Sequence, residues 1–346
     1  MIPLSKLFFD EADYKAVMEV MRSGYISQGE KVQEFESALA SYIGVAGGVA
    51  TSSGTAALHL ALIALDIREG EEVILPSYVC TAPLNAIYYT GAKAVIVDIN
   101  EDDFNLSIRE AKKKLTGRTK AIIIPHMFGQ PADMDAILSI GVPIIEDCAH
   151  SIGATYNGRM VGGMGVVSIF SFYATKMLAV GEGGMVLSND EKLLSKIKDI
   201  RDYDKKDDFK VRFNYKMTDI EAALGLSQLK KLPSFIIRRK EIAKMYSEAL
   251  VGCNFELPAL YEGKEHIFYR YIIKISPAIE NHIKSLRKRD IECRRPVYKP
   301  LHLYFGLKDF PVAEKVHNQA LSIPIYPSLT DREVNFIIEA IPKVLK

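Results

Sequence analysis

Cysteine is scarce in this chain: four among 346 residues, Cys80, Cys148, Cys253 and Cys293, with no CxxC pair. That scatter argues against a disulfide framework and offers no zinc site. The apolar neighbours of Cys80 and Cys148 suit inert buried thiols better than nucleophiles. An excess of either charge is lacking too. With 44 Lys and Arg against 43 Asp and Glu the net charge is +1, so nothing suggests a nucleic-acid-binding or membrane-binding surface. No stretch approaches the roughly 20 uninterrupted apolar residues of a membrane span. The opening Met1-Ile2-Pro3-Leu4-Ser5-Lys6 is too short on apolar length for a signal peptide. Repeats, low-complexity tracts and long linkers are also missing. The expectation is a cytoplasmic globular protein, and 25% charged with 48% hydrophobic residues is an ordinary balance for one. The length has room for two domains.

What is present is an alternation of short apolar runs with helical patterns, from about residue 50 to 190. Strands are expected over 72–75, 94–98, 121–125, 143–147, 166–172 and 185–187, with helices such as 107–115 and 134–140 between them. This pattern predicts an α/β fold, a mostly parallel sheet covered by helices on both faces. The runs are apolar throughout, as strands buried on both faces are. Residues 222–232 read as a strong helix that Pro233 interrupts. Beyond it come a charged helix over 238–250, a strand over 266–275, and helices over 279–289 and 331–341. The expected division is a large domain over 1–235 and a smaller α+β domain over 236–346.

Four segments carry candidate chemistry. Phe170-Ser171-Phe172-Tyr173-Ala174-Thr175-Lys176, followed by Gly181-Glu182-Gly183-Gly184, sets one lysine at the end of a β-prone run. Burial there would discharge the amine and make it a Schiff-base nucleophile; an ordinary surface lysine fits the segment equally well. Thr51-Ser52-Ser53-Gly54-Thr55 precedes an apolar helix and suits either an anion site at the helix start or a plain N-cap. Ile144-Ile145-Glu146-Asp147-Cys148-Ala149-His150 ends a strand in two acids. Neighbours on a strand face opposite sides, so Glu146 and Asp147 do not form one catalytic pair. One acid at a parallel strand's carboxyl end lies where such sheets bind ligands; a cap or buried salt bridge is the alternative. His126, after Ile122-Ile123-Ile124-Pro125, is open between structural and functional roles. The glycines of Gly162-Gly163-Met164-Gly165 read as a turn.

In this order, the segments resemble the DegT/DnrJ/StrS family of sugar aminotransferases, which use pyridoxal phosphate. The resemblance extends from Ser23-Gly24-Tyr25-Ile26-Ser27-Gln28-Gly29 through the segments above and Asn214-Tyr215-Lys216-Met217-Thr218-Asp219 to Ile323-Pro324-Ile325-Tyr326-Pro327. It implies an aspartate-aminotransferase-like (fold type I) large domain. It also implies pyridoxal 5'-phosphate held as a covalent aldimine by Lys176, with Asp147 on the ring nitrogen and His150 on the ring hydroxyl. Gly54, Thr55 and Ser171 would cradle the phosphate. Asn214 would reach the neighbouring subunit's phosphate, with Lys216 as the alternative, which makes the protein a homodimer with shared active sites. Many members stack an aromatic residue on the ring; Pro76-Ser77-Tyr78-Val79-Cys80 offers Cys80 there, or Tyr78 if the alignment shifts by two.

The implied reaction moves an amine from an amino acid, L-glutamate by resemblance, to a nucleotide-linked keto-sugar in amino-sugar or surface-polysaccharide biosynthesis. Arg294 and Arg295 are candidate cations for the sugar's diphosphate, or else a solvated pair. Lys176 itself argues against the related sugar dehydratases, which carry histidine there. A cysteine desulfurase would need an exposed catalytic cysteine in a polar loop. A non-enzymatic cofactor-binding regulator would need a DNA-binding element that the chain does not display.

Overall fold

The computed structural model describes residues 1–275 and 279–345; positions 276–278 and 346 of the expected C-terminal domain lie outside the described residues. Seven strands form the central sheet: β1 (Gly47–Thr51), β2 (Glu72–Pro76), β3 (Lys93–Val97), β4 (Thr119–Pro125), β5 (Ile144–Asp147), β6 (Val167–Ser171) and β7 (Gly184–Ser188). Their order in space is β1-β7-β6-β5-β4-β2-β3. Strands β2 to β6 pair in parallel, and β7 runs against both of its neighbours. Alternate side chains enter two different cores. Val73, Leu75, Ile123, Ile145 and Val186 pack on one side, and Ile74, Ile122, Ile124, Ile144 and Leu187 on the other. A period of two with both faces apolar is what produces the continuous hydrophobic runs. The six strands expected between residues 72 and 187 are all present, within two residues of their expected ends. β1 is additional: Gly47 and Gly48 have little strand propensity, and pairing with β7 makes the strand.

Two further expectations are corrected. Pro233 does not end a helix; a single 32-residue helix runs through it, Asp219–Leu250. The ring removes one backbone hydrogen bond, but the buried face of Leu229, Leu232, Phe235 and Ile236 is continuous across it. The boundary placed at residue 235 therefore falls inside one helix. The strand expected over 266–275 is shortened to β8 (Tyr271–Lys274), because Phe268 takes a left-handed φ of 51°. β8 pairs antiparallel with β9 (Ala320–Ile323). A third core gathers around this pair, with Ile242, Tyr246, Leu286 and Ile337. Ile2 packs on it and bridges to Ile291, so the first residues accompany the C-terminal part.

Asp219 ties two distant motifs together. Helix Glu30–Ile43 starts at Gly29, which has no side chain to cap it. The Asp219 carboxylate accepts from the N–H groups of Gly29, Lys31 and Val32 at 2.8, 3.2 and 3.0 Å, and so caps that helix from across the fold. Its own helix opens with a Thr218–Glu221 capping box. Among the described residues no helix is long and apolar enough to cross a membrane.

Candidate active site

A cavity of about 520 Å³ opens where β2, β4, β5 and β6 end. Open α/β sheets hold ligands at this carboxyl edge, because each strand delivers its next residues there. Pairing of Pro125 with Asp147, and of Asp147 with Ile169, keeps these strand ends in step. Asp147, His150, Ser171, Lys176, Gly54, Thr55 and Cys80 all line this one cavity.

Glu146 and Asp147 separate as strand geometry requires. Glu146 points away from the cavity and is fully buried. Its carboxylate accepts from the N–H groups of Gly162, Met164 and Gly165 at 2.7, 2.8 and 2.5 Å, which wraps the glycine turn around it. His126 Nδ1 accepts from Ala132 N–H at 3.1 Å, so Nε2 carries the proton and donates to Glu146 Oε2 at 3.1 Å. Burial pushes this carboxyl up, but His126 and the N–H groups of Gly165 and Gly162 hold it below its ordinary range. His126, Glu146 and Cys148 place ligand-type atoms within 4.8 Å of one another. Both nitrogens of His126 and both oxygens of Glu146 are already engaged in those hydrogen bonds, so His126 is structural.

Asp147 is free to face the cavity. One carboxylate oxygen accepts from Ala149 N–H at 3.0 Å, and the other makes no hydrogen bond among the described residues. Burial raises its pKa, with the Ala149 N–H, Lys176 and His126 opposing. A carboxylate in such a place gains from a cationic partner.

Gly54 opens the helix Gly54–Ala64, with Ser53 as the cap accepting from Ala56 N–H at 3.1 Å. Helix geometry leaves the N–H groups of Gly54 and Thr55 without intrahelical acceptors, which makes an anion cradle. A Cβ on Gly54 would stand 2.8 Å from Ser171 Cβ, so only glycine lets this helix start approach the end of β6 so closely.

Lys176 leaves β6 through a turn in which its N–H donates to Tyr173 O at 2.8 Å. Its Nζ lies over the Tyr269 ring, 5.4 Å from the centroid. Tyr269 stacks on His150 with centroids 4.4 Å apart, and His150 lies parallel to Phe128 at 6.0 Å. Burial, with help from the Lys176 and Arg270 cations, takes His150 well below its ordinary pKa, so the ring is a neutral imidazole at pH 7. For Tyr269 burial acts upward, but the same two cations win and lower the phenol. Tyr269 and Arg270 line the cavity without having been anticipated; their aromatic-rich surroundings read as an ordinary strand.

Several expectations shift. Tyr78 is fully buried beside Phe104 (6.2 Å, 24°) and stays out of the cavity, so of the two candidates Cys80 is the one that lines it, next to Val79. The buried thiol expected at Cys80 is corrected: its side chain is exposed at the cavity wall, and the protein packed around it still raises the thiol above its ordinary value. Arg294 and Arg295 do not line the cavity. Arg294 pairs with Glu292, and Arg295 with Glu280 and the His317 carbonyl. The next residues, Pro296 to Lys299, form the wall instead, and Lys299 lies over Tyr304 at 4.3 Å. That wall is latched to β2 by Ser77, whose Oγ lies 2.6 Å from His302 Nδ1 and whose carbonyl accepts from Leu301 N–H at 2.8 Å. Asn214 is exposed and away from the cavity of its own chain; Lys216 is paired with Asp202 and Asp204 at 3.0 and 2.9 Å.

The model of the DegT/DnrJ/EryC1/StrS aminotransferase family matches residues 8–342. GDP-perosamine synthase of Caulobacter vibrioides is 36% identical over 357 residues, covering 97% of this chain and 95% of that protein. Spore coat polysaccharide biosynthesis protein SpsC of Bacillus subtilis is 35% identical over 381 residues, with coverage of 100% and 97%. Among solved structures, the PMP form of the putative sugar aminotransferase Spr1654 from Streptococcus pneumoniae matches with a TM-score of 0.95 at 29% identity, over 99% of both chains. The architecture shared with it is fold type I.

Proposed function

The chain belongs to the DegT/DnrJ/EryC1/StrS aminotransferase family, and from that premise we propose a two-stage sugar amination. An amino acid, L-glutamate, gives up its amine, and a nucleotide-linked keto-sugar receives it in the making of amino-sugars for surface polysaccharide. The cofactor is pyridoxal 5'-phosphate. The residues present suit it, since Asp147 keeps one carboxylate oxygen without a partner and Gly54 keeps the anion cradle open beside Ser171. Asp147 would hold the ring nitrogen, and Gly54, Thr55 and Ser171 the phosphate. Cys80 would lie against the ring, His150 near its hydroxyl, and Lys176 would anchor it covalently. When bound, the group supplies an electron sink for the carbanion that amine transfer requires.

The chain's own residues supply the rest. Once the donor amine displaces it, Lys176 Nζ would be the free base that takes the proton from the donor's α-carbon and, in the second stage, delivers one to the sugar carbon that receives the amine. Neutral His150, held flat against Tyr269, orients without adding charge. Lys299 at the cavity wall is the cation suited to the sugar's diphosphate, in place of Arg294 and Arg295. Asn214 would serve the site of a second copy in a homodimer; the exposed Tyr203, Phe209 and Val211 near it in sequence support that pairing.

The observation that carries this reading is the meeting of Lys176, Asp147 and the Gly54 helix start in one cavity. The test is amine transfer from L-glutamate to a panel of UDP-, dTDP- and GDP-linked keto-sugars. Lys176→Ala should abolish the borohydride-fixed cofactor linkage, and its persistence would remove Lys176 from the role. Asp147→Asn should keep cofactor but transfer the amine at least about tenfold more slowly. Retention of cofactor with no sugar aminated would favour a regulator over an enzyme.

A further inference from the structure

Among the described residues Arg270 is a cation that meets no acid. Arg201, Arg212, Arg238, Arg294 and Arg295 each meet a carboxylate. Arg270 forms no ion pair among the described residues, and its guanidinium reaches only Ser322 Oγ, at 3.5 Å, the outer limit of a hydrogen bond. It is half-buried in the wall of the cavity that holds Lys176. Both cations lie over the Tyr269 ring, Arg270 Cζ at 5.3 Å and Lys176 Nζ at 5.4 Å from its centroid. The mount is rigid: the buried Arg239 Nη1 donates to the carbonyls of Phe268, Tyr269 and Ile325 at 3.2, 3.1 and 2.9 Å.

We propose that Arg270 recognises the α-carboxylate of the amino-acid donor and so admits α-amino acids, over other amines, to the first stage; this rests on the aminotransferase reading above. A guanidinium offers two parallel N–H groups that match a carboxylate, and in a partly enclosed site such a pair is both strong and directional. An α-amino acid carries its amine and carboxylate on neighbouring atoms. A donor whose amine lies by Lys176 therefore brings a carboxylate toward the cation that shares the same ring. The keto-sugar carries its anions at the far end of a bulky molecule. Lys299, a point charge on another part of the wall, suits that diphosphate. The two cations thus divide two different anions between them.

The test compares the wild-type holoenzyme with Arg270→Gln and Arg270→Lys. Single-turnover reaction with L-glutamate gives the donor's half-saturation. Calorimetry with succinate, an unreactive dicarboxylate, gives binding apart from turnover, and calorimetry with UDP probes the diphosphate. Arg270→Gln should weaken both L-glutamate and succinate by about 10- to 100-fold, Arg270→Lys should fall between it and wild type, and UDP should move by less than about twofold. Should the glutamine variant not fold, the lysine variant carries the same comparison, because it keeps the charge and loses the fork. Unchanged L-glutamate and succinate affinity overturns the assignment; weakened UDP with succinate intact transfers Arg270 to the diphosphate and overturns it equally. Amine transfer by wild type with no donor effect in Arg270→Gln defeats this inference alone. Loss of succinate binding in Arg270→Gln, in a protein that aminates no sugar, defeats the proposed reaction and leaves the carboxylate site standing.

Discussion

Replacing Glu146 with glutamine should be among the most damaging single-atom-scale changes in the protein, although it removes no volume. Oε1 accepts from Met164 and Gly165 N–H, and Oε2 from Gly162 N–H and His126 Nε2. Glutamine keeps one oxygen and turns the other into an NH2 group, which then faces two buried donors. Each stranded donor costs about 1–3 kcal/mol, so a loss of about 3–5 kcal/mol is expected, in the range for breaking a buried charged network. Denaturant unfolding of wild type and Glu146→Gln at pH 7 measures it. The pH dependence supplies a second check. Burial pushes the Glu146 carboxyl up, yet His126 and the N–H groups leave it below its ordinary value of 4.5 in the fold. A lowered folded pKa gives stability that is complete above the unfolded value and is lost as pH falls through the folded one. The gap between the two proteins should therefore be full at neutral pH and shrink below about pH 4.5. A gap under about 1 kcal/mol at pH 7, or one that widens on acidification, would refute the network as the source of rigidity behind Asp147.

Two other changes test how the cavity walls are held. Gly129→Ala places a side chain at φ 95° with its Cβ 2.8 Å from Ile267 Cγ1 and 3.0 Å from Tyr269 N; a loss of at least about 2 kcal/mol and weaker cofactor retention are expected, read by denaturant unfolding and cofactor absorbance. Unaltered values for both would mean that the segment bearing Tyr269 is not seated there. Ser77→Ala removes the buried partner of His302 Nδ1 and should cost about 1–2 kcal/mol, with faster hydrogen exchange over residues 298–305. Exchange that stays at the wild-type rate would show that the Leu301 backbone bond alone holds the wall.

Much of this site could be read in the chain because its parts lie where local patterns are strong. Asp147, Ser171 and Lys176 end or follow strands whose two buried faces leave unbroken apolar runs, and Gly54 opens a helix apolar enough to be recognised alone. β1 escaped notice because Gly47 and Gly48 carry no strand preference; their pairing with β7 is a tertiary fact. The long helix through Pro233 escaped for the opposite reason. A local signal that usually ends helices is outweighed by a continuous buried face.

The cations show the deeper limit. Arg294 and Arg295 attracted a ligand-binding role because two guanidiniums adjoin a proline-bounded segment. What decides such a role is which acids the fold brings near. Glu292 and Glu280 satisfy both arginines, Glu280 from a helix begun well before them in the chain. Arg270 attracted no notice, since one arginine among aromatic residues looks like a strand position. Other arginines also lack an acid among the described residues; what sets Arg270 apart is that it lacks one in the cavity wall, a placement defined only by everything folded around it. Asp147 follows the same logic with the opposite sign, its second oxygen left unmatched while Glu146 beside it is saturated. Unmet charge turned into the cavity, more than charge itself, is what separates these two groups from the many that hold the fold.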